Sequence, residues 1–212
     1  LLSSIFFSLF VLGFFKYSNF FINEFSLLFN IDKKFDFFTN IILPVGISFY
    51  TFQAMSYVID IKRNKIESSN FIDVLIFICF FPQLVAGPIV RGSVFIPQIK
   101  RGIKITRKNL KKGLIIVFWG YFLKLALADN LDIYVHANYE NLIGSNTSSL
   151  IVSIIFYSFQ IYGDFFGYSL IAIGIAKILG FHFPANFNLP YFSKSFQDFW
   201  RRWHISLSSF LR

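Results

Sequence analysis

Five stretches of the chain are dominated by apolar side chains: Leu1 to Phe15, Ile41 to Ile59, Phe71 to Val90, Gly113 to Ala128, and Ser149 to Phe183. Each of the first four has roughly the length at which a helix crosses about 30 Å of hydrocarbon, the first and fourth being short. A segment in hydrocarbon must satisfy its own backbone, which makes helix the default. The pattern lacks the regular alternation and turn spacing of an outer-membrane barrel. It predicts an all-α, polytopic membrane protein whose residues 1–212 form a single membrane domain.

Charges between the runs give an orientation. Lys62, Arg63 and Lys65 follow the second run, and Lys100, Arg101, Lys104, Arg107, Lys108, Lys111 and Lys112 follow the third. The positive-inside rule puts both loops in the cytoplasm, and one simple span cannot join two loops on the same side. Phe71 to Val90 is therefore expected to enter and return as a re-entrant segment, breaking at Phe81-Pro82-Gln83 and Ala86-Gly87-Pro88, where proline and glycine interrupt a helix. A kinked single span with one basic loop on the far side is the alternative. Asp129 to Thr147 holds Asp129, Asp132 and Glu140 but no Lys or Arg, which predicts an extracytoplasmic loop. The 35 residues from Ser149 to Phe183 exceed one ordinary span. Gly163, Asp164 and Gly167 near their middle predict a broken or paired helix.

Composition closes off other classes. The chain is 55% hydrophobic and 21% aromatic, with 32 Phe, and only 15% charged, against about 25% charged residues in a soluble domain. A soluble fold of this size could not keep so many rings out of water. The net charge of +9 comes from cations flanking apolar runs, so the expected partners are anionic membrane lipids and not nucleic acid. Cys79 alone rules out a disulfide framework and a Cys-based zinc site. His136 and His182 have no second ligand at metal spacing and read as bystanders, so no metal is expected. There is no GxSxG, Walker-type or Rossmann pattern. No basic leader or cleavage site precedes the apolar start, and the chain reads as an internal piece of a longer protein.

Two places could carry chemistry. Asp164 is a carboxylate at membrane depth, expensive enough to be functional by default. Gln160 lies one helical turn earlier on the same face. The plainer reading is a structural pair with a neighbouring helix, and Gly163 with Gly167 forms a small-xxx-small packing pair. The second place is Ser195 to Leu207. Taken as a helix, it puts Trp200, Trp203, His204 and Leu207 on one face, with Arg201 and Arg202 beside it within reach of Asp198. Such a face suits an interfacial helix or the wall of a polar tunnel. His204 could act as a base, because an unperturbed imidazole titrates near neutrality; a packed or hydrogen-bonding histidine is the plainer reading.

Four blocks then resemble the membrane-bound O-acyltransferase family, in its bacterial polysaccharide branch of alginate O-acetyltransferase type: PVGISFYTFQAMSYVID at 44–60, FFPQLVAGPIVR at 80–91, QIYGDFFGYSLIAIG at 160–174 and NLPYFSKSFQDFWRRWHISLS at 188–208. The resemblance implies a ring of transmembrane and re-entrant helices around a tunnel in the bacterial cytoplasmic (inner) membrane. It implies transfer of a short acyl group, usually acetyl, to hydroxyls of a cell-surface or secreted polysaccharide. The implied donor is acetyl-CoA or an acylated carrier, with no bound cofactor. A periplasmic or extracellular acyl-transfer partner protein is also implied. His204 matches the histidine of the WRRWHxS motif, Arg91 closes the GPIxR block, and Asp164 matches the aspartate of QIYxDFxGYS. The resemblance places the essential histidine in a later tryptophan-histidine-glycine block beyond Arg212, so His204 would be auxiliary and this stretch alone inactive. Gln160, Trp200, Arg201, Arg202 and Trp203 are expected to line the tunnel or bind substrate. Phe166 and Leu170 depart from a serine and a second aspartate in that branch. D-alanyl transfer to teichoic acid, a glycan transporter or a recruiting scaffold remain as alternatives.

Overall fold

A computed structural model describes residues 2–29, 44–84, 87–142 and 144–211, and among these every regular element is helical. Helices α1 (Leu2–Phe29), Arg107–Glu140 and Thr147–Ile178 are long and apolar enough to cross a membrane. The chain divides into two compact units, Leu1–Val85 with Arg91–Lys100, and Ala86–Val90 with Arg101–Arg212.

In the first unit α1 runs well beyond the apolar run that ends at Phe15, because no proline or glycine interrupts residues 14–29. Phe6, Phe7, Phe10, Phe20, Phe21 and Phe25 stay exposed along it, as suits a helix facing lipid. Helix α2 (Ile47–Lys62) starts after Gly46. That residue must be glycine on two counts: its φ is +79°, and a Cβ would stand 2.7 Å from the Leu84 carbonyl oxygen. Residues 41–43 of the same apolar run lie outside the described residues. Helix α2 is inside out relative to a soluble helix, burying Thr51, Gln53, Ser56 and Asp60 while Phe52 is exposed. In lipid, polar side chains are favoured on the face turned to protein.

The third run is broken, as expected, but slightly earlier than the first proline. Helix α3 (Phe71–Ile78) is capped by Asn70, whose side chain accepts from the Asp73 N–H, and Cys79-Phe80 separates it from the short α4 (Phe81–Leu84). The fully buried Gln83 donates from Nε2 to the Phe77 carbonyl at 2.9 Å, satisfying an acceptor that the break frees. Residues 85 and 86, including Ala86 of the second expected break point, lie outside the described residues. Residues 87–91 are extended, and α5 (Gly92–Lys100) follows.

The second unit is built on two long helices. Helix α6 (Arg107–Tyr121), a wide π-turn at Phe122–Ala128 and α7 (Asp129–Glu140) form one uninterrupted 34-residue rod. This corrects the expected loop after Asp129: the acidic stretch continues the helix as far as Glu140. Asn130 supports it by donating from Nδ2 to the carbonyls of Leu125 and Ala126, both at 3.0 Å, where the wide turn leaves acceptors exposed. Helix α8 (Thr147–Ile178) runs 32 residues without a break, which corrects the expected broken or paired helix. Its glycines are contact points. A Cβ on Gly167 would lie 2.8 Å from the Gly120 carbonyl oxygen, and one on Gly174 2.8 Å from that of Gly113. A mid-helix glycine costs about 1 kcal/mol relative to alanine; here close backbone approach offsets that cost, as between membrane helices generally.

Successive residues of α8 advance by about 100°, which gives it two opposite working faces. Gln160, Gly163, Asp164, Gly167 and Gly174 face the 107–140 rod. Tyr162, Phe165, Phe166 and Ser169 face the C-terminal segment. That segment comprises an extended stretch holding buried Phe181, Phe183 and Phe187, a 3₁₀ turn at Pro190–Phe192, α9 (Phe196–Arg202) and α10 (Ile205–Leu211).

Candidate functional site

The single helix expected across Trp200 to Leu207 does not form. Helix α9 starts on Ser195, whose Oγ accepts from the Asp198 N–H at 3.1 Å, and ends at Arg202. Trp203 is extended and His204 adopts φ +46°. A non-glycine residue in that left-handed region costs on the order of 1–3 kcal/mol and needs its surroundings to hold it. Here the irregular segment before α9 does so: the Asn188 N–H donates to the Arg202 carbonyl, and the Ile205 N–H donates to the Asn186 carbonyl, each at 2.9 Å. Both groups would have been paired inside a continuous helix. Trp200, Trp203, His204 and Leu207 therefore share no helix face, a correction to the sequence reading.

Below the break lies a buried polar knot. Asn186 donates from Nδ2 to Ser169 Oγ at 3.0 Å and accepts at Oδ1 from Ser206 Oγ at 2.9 Å. Ser206 Oγ in turn accepts from the Ile89 N–H at 3.0 Å. Asn186, Ser169 and Ser206 are 1%, 0% and 4% exposed. Through this knot α8, α10 and the 87–90 segment are tied at one place.

Above it the rings close around His204. The Phe165 ring meets the imidazole edge to face, with centroids 4.7 Å apart and planes at 87°. Phe187 stands against Trp203 at 5.0 Å, and Phe199 stacks on Trp203 at 5.5 Å. Tyr162 contacts Trp203, Phe187 and Tyr191, and Phe166 packs against both Tyr162 and Phe187. Tyr191 donates its hydroxyl to the Ser158 carbonyl, and burial raises its pKa above the usual phenol value. His204 Nε2 is buried with no hydrogen-bond partner among the described residues. Burial lowers its pKa from the ordinary 6.5, because the apolar wall penalises the imidazolium. The result is a neutral imidazole at pH 7 whose buried Nε2 has no partner among the described residues, set among aromatic rings.

The other expected residues are dispersed. Trp200 is exposed, and Arg201 is exposed on α9. Arg202 donates from Nε to Asp198 Oδ1 at 2.9 Å; its guanidinium, helped by the Lys194 N–H, lowers the Asp198 pKa despite some desolvation. A cleft of about 430 Å³ opens beside Phe199, lined by Ser193, Lys194, Ser195 and Phe196. Asp164 turns to the 107–140 rod, where Lys124 Nζ stands 2.6 Å from it and 2.6 Å from Asp129. Gln160 donates from Nε2 to Asp132 Oδ1 at 2.6 Å. The plainer reading, a structural pair for Asp164, is therefore the one the geometry matches. Arg91 belongs to the first unit, where its carbonyl accepts from Val94 and Phe95 at the start of α5. Sequence reasoning missed Lys124, although a lone cation in the apolar run 113–128 was a signal. It also missed Asn186, Ser169 and Ser206, whose partners are too far apart in sequence to be read by spacing. Among the described residues no three His, Cys, Asp or Glu side chains converge as metal ligands would.

Long apolar helices with buried polar contacts and an aromatic chamber define a helical membrane protein. The sequence model of the membrane-bound O-acyltransferase family matches residues 8–212, and the chain belongs to that family. It is 37% identical to a peptidoglycan O-acetyltransferase of Helicobacter pylori, over 95% of this chain and 43% of that protein. To a probable alginate O-acetylase of Pseudomonas aeruginosa it is 38% identical, over 95% of this chain and 39% of that protein. A teichoic acid D-alanyltransferase of Bacillus subtilis is more distant, at 30% over 82% of this chain and 45% of its own length. The chain thus spans about two fifths of the length of the relatives it matches.

Proposed function

We propose that the whole protein is an O-acyltransferase of the bacterial cytoplasmic membrane that moves an acetyl group onto hydroxyls of a cell-surface or secreted polysaccharide. The observation that carries this reading is His204 Nε2, buried and unpartnered in the aromatic chamber of a chain that belongs to an O-acyltransferase family. The identities to an alginate O-acetylase and a peptidoglycan O-acetyltransferase favour acetyl over D-alanyl transfer.

In the reaction the glycan hydroxyl oxygen attacks the carbonyl carbon of an acyl thioester, from acetyl-CoA or an acylated carrier. The hydroxyl proton passes to a histidine base, the C–S bond breaks, and the thiolate leaves and is protonated. Base assistance of this kind is worth about 10²- to 10⁴-fold, and each donor on the developing oxyanion about 2.7–4 kcal/mol. The main base is a histidine supplied by the rest of the protein. His204 is auxiliary: neutral at pH 7, it can hydrogen-bond donor or acceptor through Nε2, while Trp203, Phe165 and Phe187 exclude water. Asp198 with Arg202 fixes α9, and Arg201 and Trp200 lie beside the cleft at Phe199, where a polar acceptor could rest. Gln160, Asp164 and Arg91 set helix positions in this reading. The broken segment around Pro82 re-enters.

Deleting the gene tests the reading. Surface glycan from the deletion strain should lose its ester-linked acetyl groups while glycan export continues at the parental level. Loss of export with acetylation of the residual glycan intact would instead make the protein a transporter.

A further inference from the structure

We propose that Lys124 is a positioning residue: its charge holds the π-turn Phe122–Ala128, and with it the register between the two long spans that lets α8 present Phe165 to His204. The argument begins with spacing. Lys124 and Asp129 are five residues apart, which in an α-helix puts them about 140° apart around the axis, too far round to pair. Their 2.6 Å contact closes because the backbone between them is widened: the Asp129 N–H donates to the Lys124 carbonyl, an i to i+5 bond. The same ammonium reaches across to Asp164 at 2.6 Å and lies 5.5 Å from the Tyr168 ring centroid. One three-donor cation thus serves a carboxylate on each span.

The wide turn inserts about one residue into the rod. If it relaxed to an α-turn, α7 would rotate by about 100° relative to α8. Asp132 would leave Gln160, which it now holds at 2.6 Å, and Ile133 would take the place where Tyr134 meets Phe156, with ring centroids 5.2 Å apart. Removing the lysine charge favours that relaxation, because a π-turn is the less favourable backbone and the ion pairs to Asp129 and Asp164 that hold it are lost. Asp164 is followed directly by Phe165, so the clasp on one face of α8 sets the attitude of the ring that meets His204 on the other. The catalytic half of this proposal rests on the acyltransferase reading; the register half does not.

The test uses the full-length protein in membranes, with Cys79 and every cysteine of the remaining chain replaced by serine as background. Two cysteine pairs are compared under mild oxidation, Tyr134→Cys/Phe156→Cys and Ile133→Cys/Phe156→Cys. With Lys124 present, the 134–156 pair should cross-link and the 133–156 pair should not. Lys124→Met should reverse that preference and lower acetyl transfer at least tenfold, while Lys124→Arg should keep both the pattern and the transfer. If Lys124→Met does not accumulate, the triple variant Lys124→Met/Asp129→Asn/Asp164→Asn removes the stranded carboxylates and should show the same reversed pattern. An unchanged 134–156 preference overturns the proposal, and a reversed preference with unchanged transfer overturns its positioning role. Absence of transfer from the wild-type protein, with the cross-links as expected, would strike the acyltransferase reading alone.

Discussion

The imidazole of His204 stands edge to face against the ring of Phe165, centroids 4.7 Å apart, while its Nε2 has no protein partner among the described residues. Here the backbone is bent to φ +46° at His204, and the apolar wall holds the ring neutral.

That neutrality gives a pH prediction. The His204 pKa is lowered in the folded protein by burial, so protonation favours the unfolded chain. The sign follows: the contribution to stability is fully present above the ordinary value of about 6.5 and is lost as pH falls from there to the folded-state pKa. Thermal unfolding of the wild-type protein in detergent should show a decline over that acidic window which His204→Gln lacks. Equal declines in both proteins would remove His204 as the cause.

The polar knot should be intolerant of truncation. Asn186→Ala removes the amide that bridges Ser169 and Ser206, at about 1–3 kcal/mol. It also frees the 186–188 segment that holds the bend at His204. Expected are a lower unfolding temperature and faster proteolysis within residues 186–206, read by limited digestion and mass spectrometry. Wild-type behaviour would mean the knot carries little of the fold.

Helix separation offers an independent check on the fold. At Gly120 a Cβ would sit 2.7 Å from the Gly167 carbonyl oxygen, and at Gly167 2.8 Å from that of Gly120. Either glycine changed to alanine forces the two spans apart, with an overpacking cost of about 1–3 kcal/mol. By contrast Gly13→Ala, where a Cβ meets nothing within 4 Å, should be neutral or slightly stabilising. Thermal shift assays of the three variants give the comparison, and equal shifts would contradict the close approach.

Much of this was readable in the sequence because lipid leaves few choices. Apolar runs had to be helices, and the proline-rich interruption had to fall near Pro82, where the structure breaks at Cys79-Phe80. Gly163 and Gly167 could equally have meant a break or a contact; only Leu127 against Gly163 and Gly120 against Gly167 on the facing helix decide for contact. Helix periodicity likewise read straight through Trp203 and His204, since the groups that end α9 come from Asn186 and Asn188, more than ten residues away. The same distance hid the partners of Asp164. Local pattern named it as costly, and Lys124 on another span supplies the counter-charge.

The most direct test of the central claim is ester-linked acetyl content of surface glycan in cells carrying full-length His204→Ala. With the variant protein present in the membrane at the wild-type level, acetylation should fall by about tenfold, the loss of one hydrogen bond of roughly 1.4 kcal/mol, while glycan export is unchanged. Wild-type acetylation in that strain would contradict a role for His204 in the transfer.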